Sequence, residues 1–403
     1  MPPVDLLVRG IGRLLPMTVA GGDDVVERAA VLVRDGLVQW AGAEADLPPG
    51  LPDLPELDAG GAVVLPGFVD AHTHLVWAGT RREEFVARLA GLPYDGGGIR
   101  TTVTATRGAS DDELLDLAAT RARSAIATGT TTMEIKTGYG LTPHDELRML
   151  DVIRRLGEQL PLRVESTYLG AHVVPSGRDA DDYVDEVIAT LPAAAEHGAR
   201  WVDVFCDEGV FSVEQARRIL LAGRDAGLEP RLHAEEIAHT GAAGLAAETH
   251  CASADHLEHV SESDARAMAA AGVVGVLLPT VTLSLRTFAF GQVNVLREAG
   301  VELAIASDCN PGTSWCESVP YAVQLACLVY GLPVGDALRA ATLGGAHALR
   351  RHDVGHLGVG ARGDLVVLTS DHEADLVAHL GAPAVATTVH AGRVVAEGGR
   401  SLV

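Results

Sequence analysis

Lysine is almost missing from this chain of 403 residues: Lys136 is the only one. Basic side chains number 31 against 54 acidic ones, leaving a formal net charge of −23. That excess of negative charge excludes nucleic acid and anionic membrane surfaces as partners. An anionic small molecule would need a local basic anchor working against the global field, which directs attention to individual arginines. Cysteine is scarce too. The five (Cys206, Cys251, Cys309, Cys316 and Cys327) are scattered, odd in number and free of Cys-X-X-Cys spacing, as expected of reduced cytosolic thiols. No basic segment followed by an apolar one opens the chain, so a signal peptide is not expected and a cytoplasmic location is. The uncharged stretch from Ala267 to Leu285 approaches membrane-span length. It contains Gly272, Gly275, Pro279 and several threonines, and reads as a helix end followed by a buried strand.

What is present is ordinary globular apolar content, 47%, arranged in alternation. Runs at Thr130–Ile135, Leu162–Leu169, Trp201–Phe205, Arg231–His233, Ser253–His256, Val273–Leu278 and Leu303–Ser307 read as strands. With the run Val63 to Ala71, ending at His72, they make eight. Helical stretches separate most of them, several with start signals: Ser110 with Glu113, Ser212 with Gln215, and Thr142 followed by Pro143. The expected class is α/β, with a (β/α)₈ barrel over residues 65–356. A doubly wound open sheet is the alternative, but it would carry a glycine-rich phosphate loop after an early strand. Gly96-Gly97-Gly98 follows no such strand and reads as a loop. Short β-like runs at both ends, residues 1–64 and 357–403, are expected to pair into one small β-sandwich domain.

The chemistry starts from His72 and His74. Residues i and i+2 of a strand share a face, so the two imidazoles can share an ion. His233 and Asp308 end similar apolar runs further on. Three imidazoles and one carboxylate suit one zinc or iron ion with a position left for water, the pattern of hydrolytic metal chemistry. Glu236 follows His233 by three residues and could move a proton to and from water. His256 could stabilise charge on a carbonyl oxygen. Arg81 could bind a carboxylate bidentately, with Arg82 as competitor.

At this point the chain resembles the amidohydrolase superfamily, through Pro66-Gly67-Phe68-Val69-Asp70-Ala71-His72-Thr73-His74 with His233, His256 and Asp308. The blocks Ala78 to Arg81, Glu134 to Leu141, Leu169 to His172, Ala254 to Leu257 and Ser307 to Thr313 make it similar to the imidazolonepropionase family within it. The resemblance covers nearly the whole chain. It implies a barrel with a small β-sandwich, one bound zinc or iron, and hydrolysis of the cyclic amide C–N bond of 4-imidazolone-5-propanoate to N-formimidoyl-L-glutamate in L-histidine degradation. It implies His72, His74, His233 and Asp308 as metal ligands, and Glu236, His256 and Asp308 as catalytic groups. Substrate binding falls on Arg81, Tyr94, Tyr139, His172, Glu236, Asn310, Gly312 and Thr313.

Pro279 to Thr282 and Ser314 to Glu317 fit that pattern less well, which leaves selectivity open at the pocket rim. Lys136 ends the second strand, where a structural ion pair or hydrogen bond is expected of it. A second metal held by Cys206 or Glu208 is the minority alternative to a mononuclear site. The same ligand set would also serve an aminohydrolase acting on a purine, pyrimidine or other cyclic amidine. A non-catalytic barrel kept as a scaffold would be expected to lose ligands or acid/base residues, and all are in place here. A homodimer is expected, as for many such barrels.

Overall fold

The computed structural model describes residues 4–18, 25–91, 98–287 and 291–403. The Gly96-Gly97 pair lies outside them. Eight parallel strands run in chain order round one core: Phe68–Asp70, Thr130–Lys136, Arg163–Ala171, Trp201–Cys206, Leu232–Ala234, Ser253–His256, Val274–Leu277 and Leu303–Ile305. Each is hydrogen-bonded to the next. The ring closes beyond the regular ends of its first and last strands. There Asp308 N–H donates to the His72 carbonyl and His74 N–H to the Cys309 carbonyl, both at 3.0 Å. The seam of the barrel is therefore made by the residues that carry two of the histidines and the aspartate.

Strand-forming residues and caps explain the alternation. Thr130–Lys136 is buried along its whole length and rich in β-branched residues. The helix Asp111–Ala127 begins where the Ser110 side chain accepts Glu113 N–H, and buries Leu114, Ala118, Ala122 and Ala125 at helical spacing. Thr142 caps Pro143–Gln159, with proline in its first turn. Ser212 and Gln215 form a complete capping box before Val213–Asp225. The uncharged stretch after Ala267 resolves into the end of the helix Glu262–Ala271, the seventh strand, and a further helix Pro279–Leu285. Among the described residues no helix is long and apolar enough to cross a membrane.

The run Val63 to Ala71 differs from its expected single strand. It is two strands in two sheets, Val63–Pro66 in the small domain and Phe68–Asp70 in the barrel. Gly67 sits between them, where a Cβ would collide with the Thr131 side chain. Apolar continuity concealed the break, because both halves are fully buried.

The terminal strands form one nine-stranded mixed sheet in which Val63–Pro66 lies between Leu6–Leu14 and Leu365–Leu368. Val8, Ile11, Val31, Val64, Leu365 and Val389 meet in one core. Arg163 of the barrel pairs with Asp364 of this sheet at 3.0 Å.

Candidate active site

The C-terminal ends of the strands bring the histidines and Asp308 to one place. His72 and His74 follow the first strand, His233 lies in the fifth, and Asp308 follows the eighth. Asp308 Oδ1 is 3.4 Å from both His72 Nε2 and His74 Nε2. His233 Nε2 is 3.4 Å from His74 Nε2. All four side chains are buried.

These atoms face one another as lone pairs. His72 Nδ1 lies 2.6 Å from Asp255 Oδ2, and His233 Nδ1 lies 3.1 Å from Asp203 Oδ2. A proton on His72 Nδ1 serves Asp255 and leaves Nε2 as an acceptor. His72 Nε2 and Asp308 Oδ1 are buried and have no hydrogen-bond partner among the described residues. Among the described residues His72, His74 and Asp308 form one metal-competent group, and His72, His233 and His256 a second that shares His72. Acceptors crowded so closely repel unless a proton or a cation stands among them. The imidazole nitrogens and the carboxylate oxygen gathered here therefore fit a metal ion. Burial pushes the pKa of His72 and His74 well below the ordinary value and drives that of Asp308 well above. A cation would reverse the penalty on Asp308.

A charged cluster lies beneath these side chains and holds two of the histidines. Lys136 Nζ lies 2.9 Å from Glu134 Oε1 and 2.8 Å from Asp203 Oδ2, all three wholly buried. Asp255 receives Arg231 Nη2 at 3.1 Å and Ser253 Oγ at 2.6 Å. Asp70 accepts the N–H and hydroxyl of Ser307 at 3.0 and 2.6 Å, which anchors the start of the Asp308 loop. Lys136 is thus in the structural ion pair expected of it. Cys206 and Glu208 join none of the metal-competent groups among the described residues, and burial raises the Cys206 thiol to about 12.

Beside the ligands stand Glu236 and His256. His256 Nε2 is 3.7 Å from Glu236 Oε2, and its Nδ1 is 3.9 Å from Glu258 Oε2. The His256 ring lies 5.5 Å from the His233 ring and 5.7 Å from the His72 ring. Burial, reinforced by Glu258 and Asp308, raises the Glu236 carboxyl well above the usual range. Glu235, His256, Leu257 and Asp308 all adopt positive φ, at 60°, 82°, 68° and 47°. Each such residue costs of order 1–3 kcal/mol, and all four cluster at the site.

The expected substrate groups divide into three sets. Tyr139 and His172 line the cluster, their rings 5.9 and 5.1 Å from that of His74. Burial lowers His172 to about 3. Arg81 is buried against Gly312 and bonded to Glu84. Asn310 spends its amide inside its own loop: Nδ2 donates to Asp308 O, and Oδ1 accepts Gly312 N–H and Thr313 N–H, all at 2.8 Å. Tyr94 lies outside the described residues.

Sequence reading passed over Asp203, Asp255, Glu134, Arg231 and Glu146. Glu146 is buried and accepts N–H groups from Gly138, Gly140 and Leu141 at 2.9, 2.7 and 2.7 Å, which fixes the loop carrying Tyr139. A usable signal existed in the charged residues inside apolar strand runs, since such residues are rarely buried without partners. Of the two poorly fitting stretches, one supplies Thr280, whose hydroxyl donates to Ser307 O at 2.8 Å, and the other Ser314, which donates to the same carbonyl at 2.7 Å. Both brace the Asp308 loop.

Residues 63–395 match the amidohydrolase family, and the chain belongs to that family. Within it, the chain is similar from end to end to imidazolonepropionases. It is 45% identical over 395 residues to that of Mycolicibacterium smegmatis, covering 97% of each chain. To that of Salinispora arenicola it is 46% identical, covering 96% of this chain and 98% of the other. Among solved structures it resembles an adenosine deaminase from Xanthomonas campestris with bound zinc, at TM-score 0.75 and 19% identity over 99% of this chain and 94% of that one. An atrazine chlorohydrolase from Arthrobacter aurescens complexed with zinc gives TM-score 0.74 and 17% identity over 99% and 96%. At such identities the likeness shows the fold.

Proposed function

We propose that this site opens the ring of 4-imidazolone-5-propanoate. Water adds to the ring carbonyl carbon, the adjacent C–N bond breaks, and N-formimidoyl-L-glutamate is released in L-histidine degradation. The chain is a hydrolase of C–N bonds in cyclic amides, as its family and its full-length similarity to imidazolonepropionases require. The geometric observation that carries the reading is the Glu236–His256 pair, 3.7 Å apart and beside the ligand cluster.

One zinc or iron ion on His72, His74, His233 and Asp308 would, when bound, lower the pKa of a coordinated water to about 7. The rest falls to the chain's own side chains. Glu236 takes a proton from the attacking water and returns one to the departing ring nitrogen. Its burial raises its pKa, which strengthens it as a base toward the attacking water. Burial holds the His256 ring neutral, and a neutral ring can still give one N–H to the carbonyl oxygen as charge develops there. Arg81 binds the propanoate tail, and Tyr139, His172 and Thr313 add donors around it. The partner is this anionic small molecule; a homodimer in the cytoplasm, with no role for nucleic acid, belongs to the same reading.

The test incubates metal-loaded protein with 4-imidazolone-5-propanoate and follows products by mass spectrometry. N-formimidoyl-L-glutamate in stoichiometric yield supports the assignment. Ammonia release from a purine or pyrimidine, with the imidazolone untouched, would replace it with an aminohydrolase.

A further inference from the structure

We propose that Glu84 is a positioning residue for the substrate's carboxylate anchor: it clamps one edge of the Arg81 guanidinium and turns the other end toward Gly312. This rests on the reading of Arg81 as the anchor of the propanoate tail.

The clamp is a two-point contact. Arg81 Nε donates to Glu84 Oε2 at 3.1 Å and Nη2 to Glu84 Oε1 at 2.6 Å. A planar guanidinium held along its Nε–Nη2 edge can rotate about neither its last bond nor its stem, so the direction of its far end is fixed. That far end points at the loop after the eighth strand, where a Cβ on Gly312 would run into Arg81 Nη1. A Cβ on Gly98 would run into Glu84 Oε2 and Arg81 Nε. Both faces of the pair are thus bounded by glycines, and a side chain at either position would break its geometry.

Exposure divides the two partners. The Arg81 side chain is 5% exposed and Glu84 is 23% exposed. The guanidinium is buried while the carboxylate reaches it from the solvent side. A second cation flanks the same glycine: Arg88 Nη1 donates to Gly312 O at 3.2 Å. In a chain of net charge −23, two arginines from the two ends of the helix Arg82–Leu89 meet the Gly312 loop, and together they mark where an anionic tail is received. Glu84 cancels the charge of Arg81, so its place there favours direction over attraction. A freely rotating arginine would have to be ordered by each incoming substrate, at the cost of its rotamer entropy.

The experiment compares KM and kcat of the metal-loaded wild type with those of Glu84→Gln, Glu84→Asp, Arg81→Ala and the Glu84→Gln/Arg81→Ala double variant. The substrates are 4-imidazolone-5-propanoate and an imidazolone lacking the tail. Glu84→Gln should raise KM for the tailed substrate roughly tenfold, the size of a lost charged hydrogen bond. The loss should fall on KM rather than kcat and be absent with the tail-less compound. Glu84→Asp, too short for both nitrogens, should fall between. In the double variant Glu84→Gln should add nothing to Arg81→Ala. An unchanged or lowered KM in Glu84→Gln, with Arg81→Ala still raising it, overturns the positioning role and leaves the anchor standing. An unchanged KM in Arg81→Ala overturns the anchor itself, and the clamp with it.

Discussion

His72 Nδ1 and Asp255 Oδ2 stand 2.6 Å apart, both wholly buried and 183 positions apart in sequence. The contact ties the first barrel strand to the sixth and fixes the tautomer of His72, so its other nitrogen faces Asp308 as a lone pair. A ligand oriented this way loses nothing when an ion arrives.

Replacing Asp255 with asparagine should therefore cost metal affinity while the four ligands remain. Loss of such an orienting carboxylate typically weakens binding about 10–100-fold. Competition with a chelator of known affinity measures it, and circular dichroism checks that the barrel persists. Affinity within about twofold of wild type would show that Asp255 serves only Arg231 and Lys136.

Lys136 carries the opposite dependence, on stability. Burial pulls its ammonium down, yet Asp203 and Glu134 outweigh burial and hold its pKa above the ordinary value. Lys136→Met leaves those carboxylates buried with their cation gone, a change of about 3–5 kcal/mol. Chemical denaturation should show a large fall in midpoint. A midpoint near the wild type's would mean that the network reorganises around a neutral neighbour.

In the proposed mechanism Glu236 governs the acid side of turnover. It works as a base when deprotonated, and burial, Glu258 and Asp308 raise its pKa. The rate should accordingly fall as pH drops through that raised value, well above the range of an ordinary glutamate. Glu236→Gln should reduce kcat by about 10²–10⁴, and the residual rate should lose this acidic limb. A variant keeping the limb would move the titration to another group.

Asp353 sets an acid sensitivity of the fold, away from the site. Hydrogen bonds from Arg351 and Arg362, at 2.7 and 3.0 Å, hold its carboxyl well below the usual carboxylate range. A depressed folded pKa adds stability that is complete above the unfolded value of about 3.9 and lost as pH falls through the folded one. Asp353→Asn should lower the melting temperature at pH 7 and leave the difference from wild type shrinking below about pH 4. Parallel melting curves at both pH values would remove Asp353 from the acid response.

Eight strands were legible because each is a short apolar run bounded by helix caps such as Ser110, Thr142 and Ser212. The histidine pair was legible because His72 and His74 share a strand-like spacing at the end of an apolar run, and His233 and Asp308 end similar runs. Asp203 and Asp255 were not, since they lie within strands and gain meaning only from Lys136, Arg231 and the imidazoles across the barrel. The split at Gly67 was hidden because both sides of it are apolar and buried. The hydrogen bonds by which Asn310, expected from the resemblance among the substrate groups, ties together its own loop could not be read from sequence, because they depend on how that loop turns.

The most direct test returns metal stepwise to chelator-stripped protein while hydrolysis of 4-imidazolone-5-propanoate is followed. Activity should rise in proportion to added zinc or iron and level off at one equivalent per chain. Full turnover by the stripped protein, or a plateau only at two equivalents, would contradict a single ion held by His72, His74, His233 and Asp308.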